Sequence, residues 1–231
     1  MKKLILSLLL VVPLVSFANQ MEIKEKAPVD LSDYDSLQRG AKTFVNYCLN
    51  CHSANYMRYN RLKDIGLTDK QIKDNLLFAG EKVGDTMHVA MDPKDAKKWF
   101  GAAPPDLSVE VRARGADWVY AYLRGFYKDE TRPTGWNNHV FDKVAMPHVL
   151  YELQGVQVLN HETHELELVV PGKLSPKEYD AMAGDLTNYL TYMSEPAKQS
   201  RMYMGVWVLL FLAGMLVLVK KLKAEYWKDI K

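Results

Sequence analysis

The sharpest chemistry in the chain lies in five consecutive residues, Cys48-Leu49-Asn50-Cys51-His52. Two thiols with two residues between them can reach one edge of a porphyrin and add across its two vinyl groups. The adjacent imidazole then meets the iron from the same side. A zinc site would need two further ligands, and the chain has only two cysteines. A dithiol redox pair would need a βαβ setting and leaves His52 without a task. The pentad therefore predicts one covalently bound haem c, with Cys48 and Cys51 as attachment points and His52 as an axial ligand.

An iron of this kind takes a second axial ligand, and a thioether there favours the reduced, less charged metal. Met57, Met87, Met91, Met146, Met182 and Met193 are the candidates outside the terminal segments. Most must be core filler, because methionine packs irregular gaps. Met57 is too near His52 to reach the opposite face of the ring, Met182 falls on an apolar helix face, and Met193 lies close to the end of the domain. Met146, in Val-Ala-Met-Pro-His, sits in an irregular stretch stiffened by Pro147, and ranks only slightly above Met87 and Met91. His88, His139 and His148 are the alternative ligands.

These residues must be positioned by what surrounds them. With 231 residues, 48% hydrophobic and 25% charged, the chain has room for one real core, and its composition excludes disorder, collagen and a polytopic membrane protein. A net charge of +2 gives no reason to expect nucleic acid. Residues 1–18 have two lysines, an apolar run over 4–15 and small residues at 16 and 18, the pattern of a cleaved secretory signal. Residues 202–219 carry no charge and would span about 27 Å as a helix. Arg201 stands before them, and Lys220, Lys221 and Lys223 follow on what the positive-inside rule makes the cytoplasmic side. The expected organisation is a signal over 1–18, an exported domain over 19–200, a membrane span over 201–220 and a cytoplasmic tail over 221–231. The exported part holds 22 Lys+Arg against 26 Asp+Glu. Asp85, Asp92, Asp95, Glu162, Glu165 and Glu167 are candidates for an acidic face that steers a basic partner.

Within the domain, residues 36–47 show helical spacing and lead into Cys48. A second helix opens at Thr68 with Gln71 completing a capping box and stops at Gly80. A third pair lies between 105 and 126, with Asp106 as cap and Gly115 as separator. Residues 156–159 and 165–170 alternate like a small hairpin. A last helix starts after Ser175, with Pro176 and Glu178, and runs to about Met193. The fold class expected is mainly α, with long loops, a small β-hairpin and one C-terminal transmembrane helix.

The order of these features, an N-terminal helix into Cys48-x-x-Cys51-His52, then Ala103-Pro104-Pro105-Asp106-Leu107-Ser108, Val111-Arg112-Ala113-Arg114, Met146-Pro147 and one C-terminal span, resembles the cytochrome c1 family. The resemblance covers essentially the whole chain after the signal. It implies a class I-like cytochrome c haem domain, Met146 as the sixth iron ligand and the arginine segment against the haem. A guanidinium answers a haem propionate with a charge-assisted bond, with Arg114 the first choice for that role and Arg112 the second. The Pro104 and Pro105 carbonyls would meet the free imidazole nitrogen of His52, or the prolines would pack on the ring. Where mitochondrial members have asparagines this chain has Trp99 and Phe100, which points to a bacterial form with aromatic cover over the porphyrin. The implied function is single-electron transfer from a Rieske iron-sulfur protein to a soluble or membrane-bound cytochrome c. The setting would be a dimeric ubiquinol:cytochrome c reductase with cytochrome b in a bacterial inner membrane, the haem domain facing the periplasm. The subunit itself would catalyse nothing alone. The competing readings are another anchored periplasmic cytochrome c that feeds a terminal oxidase, and an enzyme or gas sensor whose Met146 leaves the iron open.

Overall fold

The computed structural model describes residue 23 and residues 25–229; the signal segment expected over 1–18 lies outside them. The chain enters along the surface. Ala27 donates its backbone N–H to Asp117, and the Asn188 side chain both accepts from the Asp30 amide and donates to the Asp30 carbonyl. That pair of bonds explains an asparagine with no exposed surface in the core.

Helix α1, Tyr34–Thr43, is capped by the Asp33 carboxylate on the Ser36 amide. Instead of ending, it widens into a π-turn, Phe44–Cys48, that delivers the first haem-motif cysteine. The long helix α7, Pro176–Ser194, has the expected Ser175/Glu178 capping box with Pro176 at its start. α1 and α7 cross at Gly40, where an added Cβ would collide with the Asp185 carbonyl and the Tyr189 Cβ. Only glycine permits that approach. Arg39 closes the crossing with two bonds to Asp185, at 2.6 and 3.0 Å, and Phe44 packs on Tyr189 at 5.7 Å between ring centroids.

The remaining elements wrap this pair. Strand β1, Ala54–Arg58, pairs antiparallel with the two-residue β2, Thr86–Met87, and between them lie a 3-10 segment, Tyr59–Ile65, and helix α2, Asp69–Asn75. The Thr68/Gln71 capping box of α2 forms as expected. The helix stops at Asn75 rather than Gly80, because Leu76 leaves helical geometry and its side chain turns into the core. Helix α3, Pro93–Phe100, was not anticipated; its eight residues begin on Pro93 with Asp92 accepting from the Lys94 and Asp95 amides. Helices α4, Glu110–Arg114, and α5, Ala116–Arg124, are separated as expected by Gly115, at φ 89°. Asp106 does not cap α4. It accepts instead from the Asn55 amide and side chain and from the Ser108 amide.

Strands β3, Phe126–Lys128, and β4, Trp136–Asn138, form a short pair the sequence did not announce. A four-residue turn of helix α6, Tyr151–Gln154, precedes the expected hairpin of β5, Gly155–Leu159, and β6, Leu166–Pro171. The last helix, α8, Lys198–Tyr226, contains the apolar span; none of its residues is buried, so its side chains are left for a surrounding that is not this domain. The fold is the mainly helical domain with long loops and a C-terminal apolar helix that the sequence predicts, with three two-stranded sheets among the described residues instead of one.

Of the six acidic residues considered for steering, four are tied up locally, Glu167 accepting from the Asn160 side chain at 2.7 Å. Asp85 accepts from the Glu81 and Lys82 amides, Asp92 caps α3, and Asp95 pairs with Lys98 at 2.9 Å.

Candidate haem site

The π-turn brings Cys48 to the wall of a cavity of ≈ 270 Å³. Its walls are the turn itself, the segment over 100–107, α4, α5, the loop over 141–149, and Leu186 and Leu190 of α7. Cys48, Cys51, His52 and Met146 all line it. Both cysteines are free thiols. Burial pushes the Cys48 thiol up to about 12 and raises that of Cys51 less far, so both are held protonated.

The backbone fixes His52 from two directions. Its amide and that of Cys51 both donate to the Cys48 carbonyl, at 2.9 and 3.0 Å, closing a tight turn that keeps the motif together. Its Nδ1 lies 2.8 Å from the Pro105 carbonyl oxygen. Proline cannot donate at its own nitrogen, but its carbonyl accepts normally, so Nδ1 carries the proton and Nε2 is left to ligate. Burial lowers the pKa of His52, with the Pro105 bond opposing it, and the neutral ring is the ligating form. The Pro104-Pro105 strip is held in turn by the Leu107 amide on the Ser53 carbonyl, 2.9 Å, and by the Asp106 bonds to Asn55 and Ser108.

Met146 is positioned without any such local turn. Lys143, three residues earlier, has φ 59°, a left-handed conformation that costs a residue with a Cβ. Two buried asparagines of β4 hold the loop there. Asn137 accepts from the Lys143 amide and donates to Asp129 and Asp142, while Asn138 accepts from the Val140 and Phe141 amides and donates to the Tyr122 carbonyl. Beyond Met146, His148 is 3% exposed, stacked on Phe126 at 4.8 Å and 4° and edge-on to Trp136 at 5.0 Å. Burial pushes its pKa down to about 4, so it is a neutral packing ring. Met146 Sδ itself accepts a hydrogen bond from the Tyr122 hydroxyl at 3.4 Å.

The rest of the lining is apolar, apart from Tyr47, Tyr122, Glu110 and Arg114. Arg114 donates to Glu110 at 3.1 Å and lies over the rings of Trp118, 4.7 Å, and Phe141, 5.6 Å. Arg112 does not line the cavity; it is exposed on another face of the short helix α4, two residues and about 200° round from Arg114. Phe100 lines the cavity, whereas Trp99 is 65% exposed and touches Phe100 edge-on at 6.5 Å. Pro104 and Pro105 both line it.

The other ligand candidates lie elsewhere. Met57, Met87 and Met193 are core residues, Met87 accepting from the Tyr189 hydroxyl at 3.7 Å. Neither Met91 nor Met182 faces the cavity, and His88 is bonded to Asn55 at 2.8 Å. His139 and His148 also lie outside the lining. Sequence reasoning passed over Trp118, Tyr122, Phe141 and Glu110. The spacing of Trp118, Val119, Tyr122 and Leu123, an apolar stripe on α5, was the available signal.

The donor set fits a covalent haem. Two protonated thiols stand beside an imidazole with its outer nitrogen already engaged, a thioether lies in the same cavity, the walls are apolar, and one guanidinium is at hand for a carboxylate. The chain is 53% identical over 231 residues to a protein named ammonia monooxygenase gamma subunit from Nitrosomonas europaea, covering 100% of this chain and 99% of that one. It is 50% identical over 243 residues to the cytochrome c1 of Allochromatium vinosum, all of both chains being covered. A chain of a hyperthermophilic respiratory complex III shares 19% identity with it over 99% of this chain and 97% of its own, with a TM-score of 0.47. The model of the cytochrome c1 family matches residues 23–230, and the chain belongs to that family, whose place is as an electron-transfer subunit of bc1-type respiratory complexes.

Proposed function

We propose that the chain carries one haem c, attached through Cys48 and Cys51 and ligated by His52 and Met146, and passes single electrons from a Rieske iron-sulfur protein to a cytochrome c. The observation that carries this reading is the convergence of both thiols, His52 and Met146 on one apolar cavity from positions 98 residues apart at the extremes, 48 and 146. With His52 and Met146 both holding the iron, no place would be left on it for a substrate, and the haem would supply a one-electron couple. The chain's own residues do the rest. Pro105 holds the His52 proton, the apolar walls exclude water, and Arg114 answers a propionate once it leaves Glu110 or shares it. Pro104 shapes the same strip, and Arg112 is left to the surface.

The same reading organises the chain into a cleaved signal over 1–18, a periplasmic haem domain over 19–200, a membrane helix over 201–220 and a cytoplasmic tail over 221–231 of a bacterial inner-membrane protein. The assembly is a dimer with cytochrome b. Replacing Met146 with alanine tests the ligand set: the methionine-sulfur-to-iron charge-transfer band disappears and the midpoint potential falls. An unchanged spectrum and potential would sink the assignment.

A second reading has one observation behind it, the name of the Nitrosomonas relative. It keeps the haem site and changes the complex. Purifying the tagged full chain from its own membranes separates the two. Recovery with a two-haem cytochrome b and an iron-sulfur subunit supports the reductase, and recovery with ammonia monooxygenase subunits instead supports the other.

A further inference from the structure

We infer that Tyr122 is a positioning residue for the Met146 sulfur: its hydroxyl occupies one lone pair of the thioether and leaves the other for the iron, which raises the reduction potential. The inference rests on Met146 being an iron ligand.

A thioether sulfur has two lone pairs and is a weak acceptor. In this cavity it meets one donor, the Tyr122 hydroxyl at 3.4 Å. The phenol ring that aims this hydroxyl is not free to turn. It stacks on Trp118, with centroids 4.9 Å apart and planes 13° apart, and Phe126 meets it edge-on at 5.2 Å. Its backbone is tied as well, since the Asn138 side chain donates to the Tyr122 carbonyl at 2.8 Å. Asn138 also anchors the loop that ends in Met146, through the Val140 and Phe141 amides. Donor and acceptor are thus referred to the same buried asparagine, and their separation is set by the fold and not by two independent loops.

The hydroxyl also lacks other offers. Met146 Sδ is its one hydrogen-bond partner among the described residues, and a part-buried hydroxyl left without a partner against apolar walls is costly. A donor on the second lone pair draws electron density from sulfur. Ferric iron needs that density more than ferrous iron does, so the bond favours the reduced state. Partners behind a metal ligand tune the metal in this way generally.

The test uses the full-length holoprotein in detergent. Tyr122→Phe removes one oxygen and keeps the ring against Trp118 and Phe126. We expect the methionine-to-iron charge-transfer band to persist and the midpoint potential to move down. The reduced-to-oxidised ratio at a fixed ambient potential should fall about two- to fivefold, part of the strength of one neutral hydrogen bond. Tyr122→3-fluorotyrosine, a stronger donor of nearly the same shape, should move the potential up. Opposite shifts from the two variants are not what mere loss of packing produces. An unmoved potential in both, with the band retained, overturns the role of Tyr122 and leaves Met146 as ligand. Absence of the band in the unsubstituted protein overturns the ligand reading and this inference with it.

Discussion

The two walls of the cavity are built by different means. On the His52 side nearly everything is local. A π-turn, a two-residue spacer and two amides on one carbonyl place Cys48, Cys51 and His52 within five residues, and one carbonyl from Pro105 finishes the job. On the Met146 side little is local. The loop takes a left-handed residue at Lys143, two buried asparagines from β4, and a ring cluster of Tyr122, Phe126 and His148 drawn from α5, β3 and the loop itself. A ligand set by chain geometry survives small changes in packing. A side chain set by packing moves when its neighbours move, which would leave a bond from Met146 to a metal open to tuning.

The largest expected effect comes from breaking the second wall alone. Phe126 is 1% exposed and touches both the Tyr122 and His148 rings. Phe126→Ala should cost about 3–5 kcal/mol. In chemical denaturation followed at the haem, the methionine band should go first while the covalent haem and its histidine ligand persist. Simultaneous loss of both ligands would show that the walls are one cooperative unit and end the comparison.

Breaking the first wall should cost less. Burial pushes the Asp106 carboxyl up, but the bonds from Ser108 and Asn55 outweigh it and hold the group below its usual range. A carboxyl depressed in the folded state stabilises above its unfolded pKa, and that contribution is lost as pH falls through the folded value. Asp106→Ala should therefore lower stability at neutral pH by about 1–3 kcal/mol. The difference from the unsubstituted protein should shrink as the pH is taken below about 4. Denaturant midpoints at several pH values read both effects.

The smallest effects concern the two arginines. Arg114 is 43% exposed at its side chain and paired with Glu110, so Arg114→Gln should change stability by less than about 1 kcal/mol. Its consequence should be a shifted midpoint potential, recorded by redox titration. Arg112→Gln, outside the cavity, should leave that potential where it was.

The same contrast explains what was legible in the sequence. Cys48, Cys51 and His52 could be read because their chemistry is written in consecutive positions. The capping boxes at Thr68 and Ser175 and the hairpin over 155–171 were legible for the same reason. Met146 was only one methionine among several until the family pattern singled it out, since no local rule ties it to His52. The β3–β4 pair escaped because three-residue strands give too few alternations to recognise. Helix α3 escaped because its two turns offer only Ala96, Trp99 and Phe100 at helical spacing among lysines and an aspartate, although Asp92-Pro93 is a sound start signal. Arg112 and Arg114 looked equivalent in the sequence, and only the short helix under them decides which one meets the cavity.

Between α7 and α8 there are just three residues, Glu195, Pro196 and Ala197, and Arg201 reaches back to Glu195 at 2.6 Å. A joint this short has almost no slack, so the cavity keeps a nearly constant height above whatever surface holds α8. The haem domain then behaves as a fixed station. The volume its redox centre can search is small, and the distance to a donor or acceptor has to be closed by motion of the visiting protein. Lengthening the joint would dilute every encounter without touching a single residue of the cavity.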